Sequence, residues 1–256
     1  MGYILIAGGT GLIGTRLCEL LQEKGYETAL LSRQKAGGKT KTFVWDPERG
    51  TIDPEALRNA SAVINLAGAG IADTWWTPAR KRVLIQSRTQ PTALLGKMLQ
   101  STPNQVETYI SASGIGIYGD TGDTLLDENA PSGNDFLAEC TRIWETAFGE
   151  VEQLPLRTAA IRIGIVLSPE GGAMAKILLP FRFRIGAYFR KGKAMVFLDP
   201  YRRPLPPVYP CPRKSGDPWE IQRRSASTRH QQRVYKNDRK SVGRPAPHRL
   251  RALFFA

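Results

Sequence analysis

The chain has 256 residues, 41% of them hydrophobic and 23% charged, with a formal net charge of +13; that length suffices for one large core or two smaller ones. No apolar run reaches the length of a membrane span, and a glycine-rich turn arrives too early for a secretory signal. Three scattered cysteines, Cys18, Cys140 and Cys211, lack metal-ligand spacing, so a reduced cytoplasmic protein with no metal centre is expected.

The first element is an apolar strand, Tyr3-Ile4-Leu5-Ile6-Ala7, followed at once by Gly8-Gly9-Thr10-Gly11-Leu12-Ile13-Gly14 and a helical pattern from Leu12 to about Lys24. Strand, glycine turn and helix N-terminus in that order form a site for a pyrophosphate. Gly8 allows the sharp turn, Gly11 lets backbone N–H groups approach the phosphates, and Gly14 lets the helix pack closely on the strand. Residues 27–31 read as the second strand. An NAD enzyme usually places a carboxylate at its end for the ribose hydroxyls, whereas this chain has Ser32-Arg33. An arginine pairs with a 2′-phosphate, and no carboxylate repels it, so NADP is favoured over NAD; a solvated arginine at a strand end is the alternative.

Residues 41–45 are a plausible edge strand, and 62–68 a buried strand ending in a glycine turn. Pro78 to Gln100 is one long or kinked amphipathic helix, with Pro91 expected to interrupt it. A strand over 107–113, a helix over 135–151 and a buried strand over 157–167 follow. This alternation predicts an α/β fold of the Rossmann-like, doubly wound parallel type. Its strands end in small or polar residues at Gly8, Gly68, Ser111 to Gly114 and Gly164, the edge at which such sheets bind ligands.

The charge is lopsided. Residues 194–256 carry 14 of the 36 Lys+Arg and 4 of the 23 Asp+Glu, a net of +10, with 9 of the 18 prolines and both histidines. Residues 1–193 are thus read as the dinucleotide-binding domain, and 194–256 as a basic Pro/Arg-rich tail of poor order. The tail's arginines follow no periodic face, and few aromatics interleave with them, so no specific nucleic-acid partner is expected. Any such binding should be non-specific and salt-sensitive.

Gly8 to Gly14, Asn65-Leu-Ala-Gly68 and Ser111-Ala-Ser-Gly-Ile-Gly-Ile-Tyr-Gly119 follow the order and spacing of the extended short-chain dehydrogenase/reductases. Trp76-Thr77, Ser87-Arg88, Phe136-Leu-Ala-Glu139, Trp144-Glu145, Arg162 to Leu167 and Gly171 to Lys176 narrow the match. Over residues 1 to about 193 the chain resembles the atypical group described as epimerase family proteins, or NAD(P)-dependent nucleoside-diphosphate-sugar epimerases. The resemblance implies a small-molecule substrate of the nucleotide-sugar kind. It places the cofactor across Gly8, Thr10, Gly11, Leu12, Ile13, Gly14, Ser32, Arg33, Leu66, Ala67, Gly68 and Ala69, with the nicotinamide facing Ser111 to Gly114 and the Gly164 turn. Arg88 is a candidate anchor for an anionic group; a helix-surface arginine paired with a carboxylate is the equal alternative.

The wider superfamily acts through a Tyr and a Lys four residues later, but the corresponding helix here reads Phe136-Leu-Ala-Glu-Cys140. Ser113 and Tyr118 remain as candidate catalytic groups, against the plainer readings of a strand-end serine and a packed aromatic. An NADP-binding regulator without turnover is therefore the alternative to an oxidoreductase or epimerase. Helix pairs on this fold often make dimers, so a homo-oligomer is compatible with the chain, and no membrane association is expected.

The resemblance also implies a segment like Gly-Lys-Gln-Trp-Tyr-Ser-Trp-Ile-His-Ile-Asp-Asp after Gly192-Lys193. Codons for Ala194 to Arg203 exist whose neighbouring frame reads Gln-Trp-Tyr-Ser-Trp-Ile-His-Ile-Asp-Asp. The first Trp is forced, because ATG before any valine codon contains TGG. Residues from Gly216 onward recode in the same frame to another family-like stretch. A one-base insertion near the codon of Lys193 would put residues 194–256 out of frame and leave the C-terminal substrate lobe incomplete.

Overall fold

The computed structural model describes residues 2–34, 40–122, 124–168, 170–172 and 198–200. They fall into two compact units, one holding the described residues within 2–113 and 139–161, the other those within 114–138 and 162–200.

In the first unit, β1 (Tyr3–Ala7) turns into α1 (Leu12–Glu23), which returns the chain to β2 (Thr28–Ser32). Next come β3 (Lys41–Asp46), the short β4 (Thr51–Ile52), β5 (Ala60–Asn65), α2 (Pro78–Ser101) and β6 (Thr108–Gly114). Helix α3 (Phe136–Glu152) and β7 (Arg157–Ile163) complete a seven-stranded sheet of order β4-β3-β2-β1-β5-β6-β7. β1 pairs in parallel with β2 on one side and β5 on the other, so the strand order reverses at β1. The crevice at the C-terminal ends of β1 and β5 is the topological switch point, where such sheets take their ligands.

Two apolar layers cover the two faces of the sheet. Tyr3, Leu5 and Ala7 of β1 join Leu94, Leu95 and Leu99 of α2 and Phe148 and Val151 of α3 in one core. Ile4 and Ile6 join Leu17 and Leu21 of α1, Leu30 and Ile64 in the other. The alternation is the period-2 signature of a strand buried on both faces.

The expected elements are present, with four differences. The sheet edge is not β3 but β4, paired antiparallel to it through Trp45 and Ile52; a two-residue strand is too short to show a period. Helix α2 runs from Pro78 to Ser101 without a break at Pro91. Pro91 is buried there with Leu95 and Leu99, and tertiary packing outweighs the local cost of the missing N–H. The strand expected over 157–167 is two strands divided at Gly164, β7 and β8 (Ile165–Ser168), and β7 is half-buried along its length rather than buried. In the second unit, β8 pairs in parallel with β9 (Leu198–Pro200), so these three tail residues form a strand where an irregular segment was expected. The rest of the tail lies outside the described residues.

Candidate functional site

The turn after β1 is built around glycine. Gly8 has φ +76°, and a Cβ there would lie 2.7 Å from the Leu66 carbonyl oxygen, so β1 and the loop after β5 meet closely only because no side chain intervenes. A Cβ on Gly14 would collide with the Gly8 carbonyl oxygen and lie 2.6 Å from Gly9 Cα. The Gly11 N–H closes the turn onto the Gly8 carbonyl at 3.0 Å. Gly11 then caps α1 in extended conformation with no side-chain hydrogen bond. Gly11 has no side chain with which to cap the positive end of the helix, which stands at the switch-point crevice. Thr10 and Gly11 are exposed, Leu12 and Ile13 half-buried and Gly14 buried. This cradle fits a diphosphate: close backbone approach at the positive end of a helix, with no carboxylate in the turn.

At the end of β2, Ser32 is half-buried, and its Oγ accepts the Gln34 N–H at 3.3 Å. Arg33 is exposed and has no hydrogen-bond or salt-bridge partner among the described residues.

The loop after β5, residues 66–70, is pinned by side chains. Asn65, fully buried, accepts the Ala67 N–H on Oδ1 at 3.1 Å. Its Nδ2 donates to Thr92 Oγ1 and to the Tyr109 hydroxyl, each at 3.1 Å. Burial pushes the Tyr109 phenol up to about 12, against the opposing hydrogen bonds of Asn65 and Thr92. From α2, Ser87 Oγ accepts the Ala69 N–H at 3.0 Å, and Arg88 Nη2 donates to the Ala69 carbonyl at 3.1 Å. Arg80 Nη2 reaches the Gly70 carbonyl at 2.6 Å.

Arg88 is neither on the helix surface nor paired with a carboxylate. It is 8% exposed, donates from Nη1 to the Leu84 carbonyl at 2.9 Å, and lies over the Trp144 ring at 5.3 Å. Burial lowers its pKa, with a smaller opposing effect from Cys140. Cys140 is itself buried, which pushes its thiol up against the pull of Arg88. A thiol carries no positive charge in either protonation state, so Cys140 cannot supply the fixed charge of the superfamily's lysine.

At the end of β6, Ser111 is buried and donates to the Ala112 carbonyl at 3.0 Å. Ser113, also buried, donates to Glu145 Oε1 on α3 at 2.6 Å. That is the length of a charge-assisted O–H···O bond, so the strand-end serine is coupled to a carboxylate. Tyr118 and Gly164 belong to the second unit. Tyr118 is buried, and its hydroxyl accepts from Arg162 Nη1 at 2.7 Å. The Arg162 guanidinium also lies 5.2 Å from the Tyr118 ring. Gly164 is half-buried between β7 and β8.

Reading the sequence by residue type missed Asn65, Ser87 and Glu145 as site residues. A buried Asn at the end of an apolar strand was the one local signal; the other two act through partners distant in sequence. Among the described residues no cluster of metal-ligating side chains occurs, and no helix is long and apolar enough to cross a membrane.

The profile of the NAD dependent epimerase/dehydratase family matches residues 4–138, which span the glycine turn, the pinned loop and the Ser113 strand. The chain belongs to this family. An epimerase family protein of Mycobacterium tuberculosis, MT2273, is 37% identical over 190 residues, covering 74% of this chain and 62% of the relative. The crystal structure of human epimerase family protein SDR39U1 (isoform 2) with NADPH is 31% identical, with TM-score 0.67, covering 78% of this chain and 66% of that one. A nucleoside-diphosphate sugar epimerase from Corynebacterium glutamicum is 32% identical, also with TM-score 0.67, covering 78% of this chain and 41% of that one. The chain thus spans about three-fifths of the length of the curated relatives it matches.

Proposed function

We propose that this epimerase-family chain binds NADP in preference to NAD and acts as an oxidoreductase or epimerase on a nucleoside-diphosphate sugar. The observation that carries the reading is the pairing of the Gly8–Gly14 cradle at the start of α1 with Arg33, exposed at the end of β2. A dinucleotide diphosphate fits the cradle, and the guanidinium is available for a 2′-phosphate. The related human protein has been crystallised with NADPH, and the Corynebacterium neighbour is described as a nucleoside-diphosphate sugar epimerase; both support the reading.

A bound nicotinamide would supply or accept a hydride. This chain's own residues handle the rest. The switch-point loops, with the small residues ending β5 and β6, would leave room for the nicotinamide's flat ring. Ser113 Oγ holds a proton that it already shares with Glu145 Oε1 at 2.6 Å, so it can pass that proton on as it takes one from a substrate hydroxyl. With Phe136 and Cys140 in place of the usual Tyr and Lys, the Ser113–Glu145 pair takes the acid–base role in this reading.

The same two residues favour a second reading, an NADP-binding regulator without turnover. Titration with NADPH and NADH separates the cofactor readings, and Arg33→Asp is expected to weaken NADPH by about 10- to 100-fold while sparing NADH. Equal affinities for the two coenzymes in the wild-type protein would overturn the NADP preference. Adding UDP-glucose, as a nucleoside-diphosphate sugar, to the NADP-loaded protein then distinguishes turnover from silent binding: net oxidation appears as an absorbance change, and redox-neutral epimerisation as a new nucleotide sugar on chromatography.

We also propose that residues 194–256 translate a shifted frame. The break in composition at 194 and the 190-residue span of similarity in a 256-residue chain support this. Resequencing across the codon of Lys193 tests it; an uninterrupted frame encoding Ala194-Met195-Val196 would refute it.

A further inference from the structure

The buried face of α2 carries an arrangement that its core does not explain. Five of its seven buried positions, Leu84, Arg88, Thr92, Leu95 and Leu99, follow helical spacing, yet two of these are polar. A buried guanidinium is costly unless every nearby acceptor is used. Arg88 uses backbone carbonyls rather than a carboxylate: Leu84 within its own helix, and Ala69 across the gap. Its neighbour Ser87 accepts the Ala69 N–H. Consecutive residues of one helix thus hold both polar backbone atoms of a single loop residue. Gly68, the preceding residue, lies against the Arg88 side chain: a Cβ there would stand at van der Waals distance, 3.4 Å, from Arg88 Cγ and Cζ.

We propose that Ser87 and Arg88 are positioning residues for the dinucleotide: a two-residue clip on Ala69 that fixes the loop after β5 in its binding geometry before the cofactor arrives. This rests on the dinucleotide reading above and adds to it the source of the site's preorganisation. A loop held only by its own backbone would be ordered at the moment of binding, at a cost in affinity. The clip removes that cost. It also leaves a cationic group beside the loop with no carboxylate to neutralise it among the described residues, which favours an anionic ligand. The hydroxyl and the guanidinium have separate tasks: Ser87 takes the N–H, Arg88 the C=O. Removing either should loosen the loop while leaving the cores on both sheet faces intact.

The test uses the full chain, with NADPH as the probe and two readouts. The first is hydrogen exchange at the Ala69 amide in cofactor-free protein; the second is NADPH affinity by fluorescence titration. Ser87→Ala should speed Ala69 exchange and weaken NADPH by about 5- to 20-fold, and Ser87→Thr, which keeps the hydroxyl, should restore both. Arg88→Met should weaken NADPH at least as much, with Arg88→Lys in between, because lysine keeps the charge but not the fork. Exchange of the β1 and β5 amides reports whether each variant is folded. Faster Ala69 exchange with unchanged NADPH affinity would overturn the positioning role, as would unchanged exchange in Ser87→Ala. No NADPH binding by the wild-type protein would overturn the dinucleotide reading itself, whereas normal binding by wild type and variants alike overturns the clip alone.

Discussion

Gly14 is where the nucleotide cradle is most exposed to a single substitution. A methyl there meets the Gly8 carbonyl and the Gly9 backbone, neither of which can rotate away as a side chain would. Gly14→Ala should therefore cost about 1–3 kcal/mol of stability, read from urea unfolding, and NADPH affinity with it. Full NADPH affinity in a folded Gly14→Ala protein would contradict the cradle geometry. The same scale holds a pH prediction. Tyr109 has its phenol raised to about 12 by burial, so its neutral form is favoured in the folded state. The stability it contributes is fully present below pH 10, the unfolded value, and is lost as pH rises through 12. The loss is roughly 2–3 kcal/mol, and Tyr109→Phe should flatten that part of the stability–pH curve. The glycines and Arg33 could be proposed from residue type because each would act through a local property, a missing Cβ or a charge at a strand end. The Ser113–Glu145 pair was not, since its members stand 32 positions apart and meet only through packing of α3 on β6.

Helix α2 shows what one element can and cannot disclose about itself. Thr77 caps it, its side chain accepting the Arg80 N–H at 3.2 Å, with Pro78 at the first helical position; both are textual signals of a helix start. Thr77→Ala should cost about 1 kcal/mol of stability, measurable by urea unfolding; no loss would mean that the cap is redundant with packing. Pro91 gave the wrong signal, because a helix boundary read from propensity ignores the core that Leu95 and Leu99 share with β1. Periodicity likewise could not find β4, which has two residues, or divide β7 from β8, where an apolar run continues through Gly164. Element existence followed from the sequence wherever a segment was long and periodic. Edges and breaks depended on neighbours.

At the scale of the molecule, the order β4-β3-β2-β1-β5-β6-β7 brings the glycine turn, the pinned loop and the end of β6 to one edge of the sheet. That convergence was legible in outline, as small residues at successive strand ends, while the side chains that hold the loops in place were not. The basic tail has the opposite character: its composition sets it apart from the rest, and the similarity to curated relatives spans 74% of the chain. A frame-restored protein should bind NADPH more tightly than this chain and unfold at a higher urea concentration; equal behaviour of the two would show that residues 194–256 do not matter to the site. The most direct measurement of all follows the backbone amide resonances during an NADPH titration. Saturable shifts should centre on residues 8–14, with smaller ones at Arg33 and residues 66–69. A titration that leaves residues 8–14 unmoved, or shifts that never saturate, would contradict a dinucleotide held on the first helix.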